Sequence, residues 1–148
     1  HHCAAAAFQS SVDERNEATF GKLQAMFEMG QTDEAMKLAL ECVGDRTFKG
    51  EWTARIYLIL GQCYEKKAAA AAGNEAKELL KQAHGTYQRV YVAYQGFPEL
   101  CAEGYWRAYL AAKELGESLI SQETLKALAE HPKLQNTEYC KKAKEILK

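Results

Sequence analysis

Apolar residues recur along the chain at three- and four-residue steps, the spacing of one helical face, and glycine or proline interrupts each run. Over 13–29 the stripe is Ala18, Phe20, Leu23 and Phe27, and Gly30 ends it as a left-handed cap residue does. Thr32 reads as the N-cap of a second helix, with Asp33 and Glu34 in the favourable first turn and Ala35, Leu38, Ala39 and Cys42 carrying the stripe to Gly44. A third helix is predicted from about 51 to 67 through Tyr57, Leu60 and Tyr64. A fourth covers about 74–94, capped by Asn74, with Tyr87, Val90, Tyr91 and Tyr94 on a broad apolar face. Gly96-Phe97-Pro98 suits a helix end followed by a first turn, so a fifth helix is placed at 98–115. Gly116 ends it, a sixth spans about 117–130, Pro132 marks the next break, and a seventh covers about 136–147. The pattern predicts an all-α chain of about seven helices with no strand. A link as short as Gly30-Gln31 requires the helices it joins to lie antiparallel, and neither buries its stripe alone.

Two segments stand outside this pattern. His1-His2 reads as the end of a purification tag, and Ala4-Ala5-Ala6-Ala7-Phe8-Gln9-Ser10 resembles a viral-protease cleavage site, so residues 1–10 are set apart as a tag remnant. Residues 11–148 then form one helical domain. The run Ala68 to Ala72 is low in complexity; either the third helix extends through it, alanine being the strongest helix former, or it is a mobile turn.

Composition narrows the function classes. With 19 Lys+Arg against 20 Asp+Glu the net charge is −1, which supplies no bulk attraction for nucleic acid or anionic membranes. The longest apolar stretches, such as Ile56 to Leu60, fall far short of a bilayer span. The five cysteines, at 3, 42, 63, 101 and 140, are odd in number and form no Cys-x-x-Cys pair, so a disulfide framework or zinc knuckle is not expected, and Cys3 belongs to the tag. No His-Glu-x-x-His, glycine-rich phosphate loop or Gly-x-Ser-x-Gly occurs, and beyond the tag only His84 and His131 are available. No enzymatic activity, cofactor or metal is expected.

The segments Glu28-Met29-Gly30-Gln31-Thr32-Asp33-Glu34-Ala35 and Tyr57-Leu58-Ile59-Leu60-Gly61-Gln62-Cys63-Tyr64 resemble the two diagnostic parts of a tetratricopeptide repeat. In the register of that family, repeats start near Asn16, Ala54 and Ala102, spacings of 38 and 48 residues against a usual period of about 34. The resemblance implies a right-handed solenoid of stacked helix pairs, an extended second repeat whose long helices project beyond the stack, and a C-terminal capping helix. Small Gly61 and Ala83 would permit close approach, while Tyr64, Tyr87 and Leu125 fill the space between layers. The last stretch, from Tyr87 through His131-Pro132, is also loosely similar to tetratricopeptide proteins of bacterial cell-envelope assembly and Tol–Pal complexes.

The resemblance further implies binding of another protein or peptide in a concave groove lined by the first helix of each pair. In this sequence the groove positions are Glu17, Phe20, Gln24 and Phe27, then Arg55 and Gln62 with Leu58 and Ile59, then Glu103, Trp106, Arg107, Leu110 and Lys113. Family members that clamp a terminal carboxylate use Lys and Asn, where this chain has Phe20, Leu58, Gln24 and Gln62, so an amphipathic helix or extended apolar peptide is expected instead. Trp106 and Arg107 are the leading anchors, unless they pack against the seventh helix. Tyr139, Cys140, Ala143, Ile146 and Leu147 give that last helix one apolar side, which favours a cap and a monomer or weak homo-oligomer. The compartment is not written in the chain; only the loose envelope likeness points to the periplasm.

Overall fold

The computed structural model describes residues 2–148, and side chains from Ala4 onward; the reading of Cys3 lies outside the described side chains. Seven helices and no strand are present among the described residues: α1 His2–Glu28, α2 Thr32–Val43, α3 Glu51–Ala70, α4 Gly73–Ala93, α5 Pro98–Glu114, α6 Ser118–Glu130 and α7 Glu138–Ile146. The all-α expectation holds. α1 starts earlier than its stripe, because the alanine-rich segment before Asp13 continues the helix at no cost in propensity. α3 likewise runs through Lys67 to Ala70 and breaks at the extended Ala71.

Two expected caps are not formed. Thr32 is the first helical residue, behind Gln31, and no side-chain oxygen bonds the opening N–H groups of α2. Asn74 lies inside α4, whose cap position is the extended Ala72. In both places a tight turn sets the entry angle, so the polar residue arrives one or two positions too late. A true cap occurs at Thr137, whose Oγ1 accepts from the Cys140 N–H at 3.3 Å.

The links after α1 and α5 share one construction. Gly30 (φ +81°) and Gly116 (φ +78°) are left-handed; behind them Gln31 and Glu117 donate their N–H groups to Met26 and Ala112, at 2.9 and 3.0 Å. These are Schellman ends, which need a residue without a Cβ penalty at positive φ. The middle pair departs from this device. α3 and α4 have 20 and 21 residues, against 12 in α2 and 13 in α6, and the added turns lie at an exposed tip around Ala69 to Glu78.

Three apolar cores follow one another along the chain. Leu23, Ile56, Ile59 and Leu60 fill the first with Ala35, Ala39 and Phe48. Tyr87, Val90, Leu58 and Leu100 fill the second, and Leu125, Leu128, Leu134 and Tyr109 the third. Half-buried tyrosines join them: Tyr57 and Tyr64 touch the first and second, Tyr91 the second and third. Each core therefore shares a helix with the next, α3 and then α5. Each fully buried aliphatic side chain contributes about 1.5–3 kcal/mol, far more than the few tenths that a surface ion pair such as Lys67–Asp33, at 3.1 Å, contributes.

Each helix packs against its sequence neighbours, and α1 also touches α3, α3 touches α5, and α5 touches α7. Among the described residues, α2, α4 and α6 make no such contacts with one another. Close approach of α4 to its neighbours depends on two glycines. A Cβ at Gly61 would lie 2.3 Å from the Tyr87 ring, and one at Gly104 would lie 2.9 Å from Val90 Cβ and 3.2 Å from the Tyr87 carbonyl oxygen. Substituting Gly104→Ala is therefore expected to destabilise the fold by about 1–3 kcal/mol, as overpacking does. At Gly85, where nothing lies within 4 Å of a built Cβ, alanine should instead stabilise by about 0.5–1 kcal/mol through helix propensity. Urea unfolding of both variants checks the contrast in sign.

Candidate protein-binding face

The face shared by α1, α3, α5 and α7 carries the expected binding residues, and the structure sorts them into three groups. At the α1–α3 junction Phe20 packs on Trp52 with ring centroids 6.0 Å apart, and the Arg55 guanidinium sits 6.0 and 5.7 Å from the two rings. Arg55 also pairs with Glu51 at 3.5 Å, one turn earlier on the same helix. Phe27 lies under the Lys66 ammonium at 4.6 Å, while Gln24 is exposed. Each of these cations covers an aromatic surface that would otherwise face water.

At the α5–α7 junction Trp106 packs on Tyr109 and on Tyr139 of α7, at 5.4 and 5.9 Å, with the Lys142 ammonium 5.8 Å from its ring. Trp106 is thus part of the seat of the last helix. Leu58 and Ile59, expected on the groove, are only 4% and 6% exposed and belong to the cores. The register of α3 explains the difference: with helices packed on both sides, these two residues turn inward. Gln62 is half-buried and donates to the Leu58 carbonyl oxygen at 3.1 Å.

Between these junctions, where α3 and α5 touch only lightly, a cleft of about 590 Å³ opens. Its walls are Glu65 and Ala69 of α3, Leu80 of α4, and Leu110, Lys113 and Glu114 of α5. Leu110 is 41% exposed and Lys113 is exposed, so these two expected positions are brought together in an accessible cleft. Sequence reasoning missed Glu65, Ala69 and Leu80. Glu65 follows Gly61 by one helical turn and so shares its face, a legible signal; Leu80 enters from the second helix of its pair because α4 is long enough to reach the cleft.

Behind the cleft lies a buried polar group. The Tyr87 side chain is fully buried, and its hydroxyl, facing Glu65 and Arg107, has no hydrogen bond of normal geometry. Burial, and then the neighbouring Glu65 charge, holds that phenol protonated well above the ordinary tyrosine range. Burial also raises the Glu65 carboxyl, opposed by Tyr87 and Arg107 and reinforced by Glu114. Arg107 loses solvation, which works against its charge, but the Glu103 carboxylate 2.8 Å from its Nε outweighs the loss and holds it protonated. Arg107 therefore faces the interior and Trp106 faces α7, and the two do not form one anchor.

The cysteines and histidines lie apart from this face. Burial pushes the Cys63 and Cys101 thiols up to about 11, so both are protonated at neutral pH. Burial lowers the pKa of His84, and His131 packs edge-on against Tyr105 at 5.9 Å. Among the described residues no group of three or more His, Cys, Asp or Glu is placed to hold a metal, and no helix is long and apolar enough to cross a membrane. Comparison with protein-family models, curated proteins and solved structures finds no match.

The half-buried Glu65 carboxyl gives this face a pH signature. Glu65 binds its proton more tightly in the fold than in the unfolded chain, so its burial carries no penalty below the ordinary carboxylate range and a growing one as pH rises through its raised folded value. Glu65→Gln stays neutral throughout. Its stability relative to wild type is expected to improve as pH rises from about 4 to 7, read from urea midpoints at each pH; a difference independent of pH would contradict this placement of the carboxyl.

Proposed function

We propose that the chain is a tetratricopeptide-like helical repeat module whose α1, α3, α5 and α7 face binds a segment of another protein, without catalysis and without a cofactor. The observation that carries this reading is the contact pattern: odd helices touch the next odd helix, while the even ones are separated by them. Successive antiparallel pairs stacked into a right-handed solenoid produce such a pattern, with first helices lining the inner side and second helices spread on the outer side. The repeated Schellman ends at Gly30 and Gly116 support the same reading, since they place equivalent turns in the first and third pairs. The long α3 and α4 fit an extended second repeat.

On this reading α7 is a cap. Cys140 and Ala143 are buried against the third core, while Lys141, Lys142 and Lys144 are exposed. The binding centre is the cleft beneath Leu110. Its apolar walls, Ala69, Leu80 and Leu110, take an apolar side chain of the bound segment, and Lys113, Glu65 and Glu114 orient its polar neighbours. Phe20, Arg55 and Phe27 continue the face toward α1.

The test uses cleft residues whose replacement leaves the cores intact. Leu110→Asp and Lys113→Glu, each verified as folded by circular dichroism, are compared with wild type as baits, and retained proteins are identified by mass spectrometry and titrated individually. The reading predicts a protein bound by wild type at least tenfold more tightly than by Leu110→Asp, a loss of about 1.4 kcal/mol or more. Equal retention by wild type and both variants, or no retention by any, would overturn it.

A further inference from the structure

The opposite side of the molecule carries a second surface. Because α2 and α4 do not touch, a groove of about 540 Å³ runs between them over α3, with Leu40 and Val43 on one bank, Tyr57 and Tyr64 on the floor, and Gly85 and Arg89 on the other bank. Leu40 is 48% exposed. Among the described residues, Arg89 is the one charged group lining the groove and has no ion-pair partner; its guanidinium rests 5.9 Å from the Tyr57 ring. Gly85 has no internal explanation. It sits in mid-helix without positive φ, and nothing lies within 4 Å of a Cβ built there, whereas Gly61 and Gly104 each meet a neighbour. Gly21 on α1 is equally open, but it lines none of the clefts described above. A glycine that costs helix stability, and leaves bare backbone between Gln82 and Thr86 on the bank facing the apolar Leu40 and Val43, is suited to close approach by another element.

The chain itself exposes an element of the required chemistry. At the start of α6, Leu119 is 72% and Ile120 42% exposed, beside the exposed carboxylate of Glu123. Leu119 and Glu123 are one helical turn apart, as are Gly85 and Arg89. With the two helices running parallel, an apolar residue entering at Gly85 brings a carboxylate to Arg89 in the same register. We propose that the α2–α4 groove takes the start of α6 from a second copy of the chain, Leu119 and Ile120 entering beside Gly85 and Glu123 pairing with Arg89. Groove and α6 start are different surfaces, so the contact is heterologous and each copy can both give and receive.

Sedimentation velocity on the full chain, from micromolar to millimolar protein, tests this directly. Wild type should gain mass with concentration. Gly85→Phe, whose Cβ has open space and whose ring would occupy the groove, and Leu119→Asp, which removes the entering residue, should each remain monomeric, with folding checked by circular dichroism. Mixed in equal amounts, the two variants should form one-to-one dimers and nothing larger, since one retains only the α6 start and the other only the groove. Arg89→Glu should also abolish association, and Arg89→Glu with Glu123→Lys in one chain should restore it. A wild type that stays monomeric at the highest concentration, variants that associate as wild type does, or a mixture that stays monomeric would each overturn the proposal. None of these results bears on binding at the Leu110 cleft, which lies on the other face.

Discussion

Tyr87 rests its ring edge where the Cβ of any residue but glycine would stand on α3, and the centre of the molecule depends on that seat. The ring is fully buried, and just past the end of α4 the Tyr94 ring packs on Tyr57 of α3 at 6.2 Å. On its other side α4 presses Val90 against Gly104 of α5. One helix is thus held between two neighbours by large residues opposite glycines on either side. Directional bonds play little part, since the Tyr87 hydroxyl faces Glu65 and Arg107 without a well-formed hydrogen bond. Packing sets the spacing of α3 and α5, and that spacing leaves the cleft beneath Leu110 open.

The same seat links the two faces. α4 keeps α3 and α5 far enough apart that they touch only lightly, which forms the cleft on the odd-helix side; the even helices are kept apart in turn, which leaves the α2–α4 groove on the other. A partner segment and a second copy of the chain would thus occupy surfaces produced by one packing arrangement. The polar group behind the cleft adds a constraint of its own. Arg107 is committed to Glu103, so the cleft offers an apolar wall, a carboxyl at Glu65 that resists ionisation, and the exposed charges of Lys113 and Glu114 at its rim.

Most of the helices were legible because their signals are local. Apolar stripes at 3.6-residue spacing, Gly30 and Gly116 at positive φ, and Pro98 in a first turn each act within a few residues, and apart from the start of α1, which lies at His2 and well before its stripe, the helix limits they imply lie close to those observed. Thr32 and Asn74 misled because they are good caps in general, while here the turn geometry starts the helix before the oxygen is in place. The candidate face was legible only in part. A repeat register assigns positions to the first helix of each pair, so it reached Leu110 and Lys113, but it could not show that Leu58 and Ile59 turn into the cores or that Trp106 is covered by Tyr139. Leu80 depends on the length of α4 and the spacing of three helices, a tertiary property with no single-residue signal.

The Gly61–Tyr87 contact couples α3 and α4 by direct steric exclusion. A double-mutant cycle with Gly61→Ala and Tyr87→Leu, followed by urea unfolding, measures that coupling. If the ring alone forbids a Cβ at position 61, Gly61→Ala should cost at least about 2 kcal/mol in wild type and close to nothing once leucine replaces the tyrosine, a coupling of the size seen for residues in contact. If the two losses simply add, α4 is not seated by this contact, and the spacing of α3 and α5 has another origin.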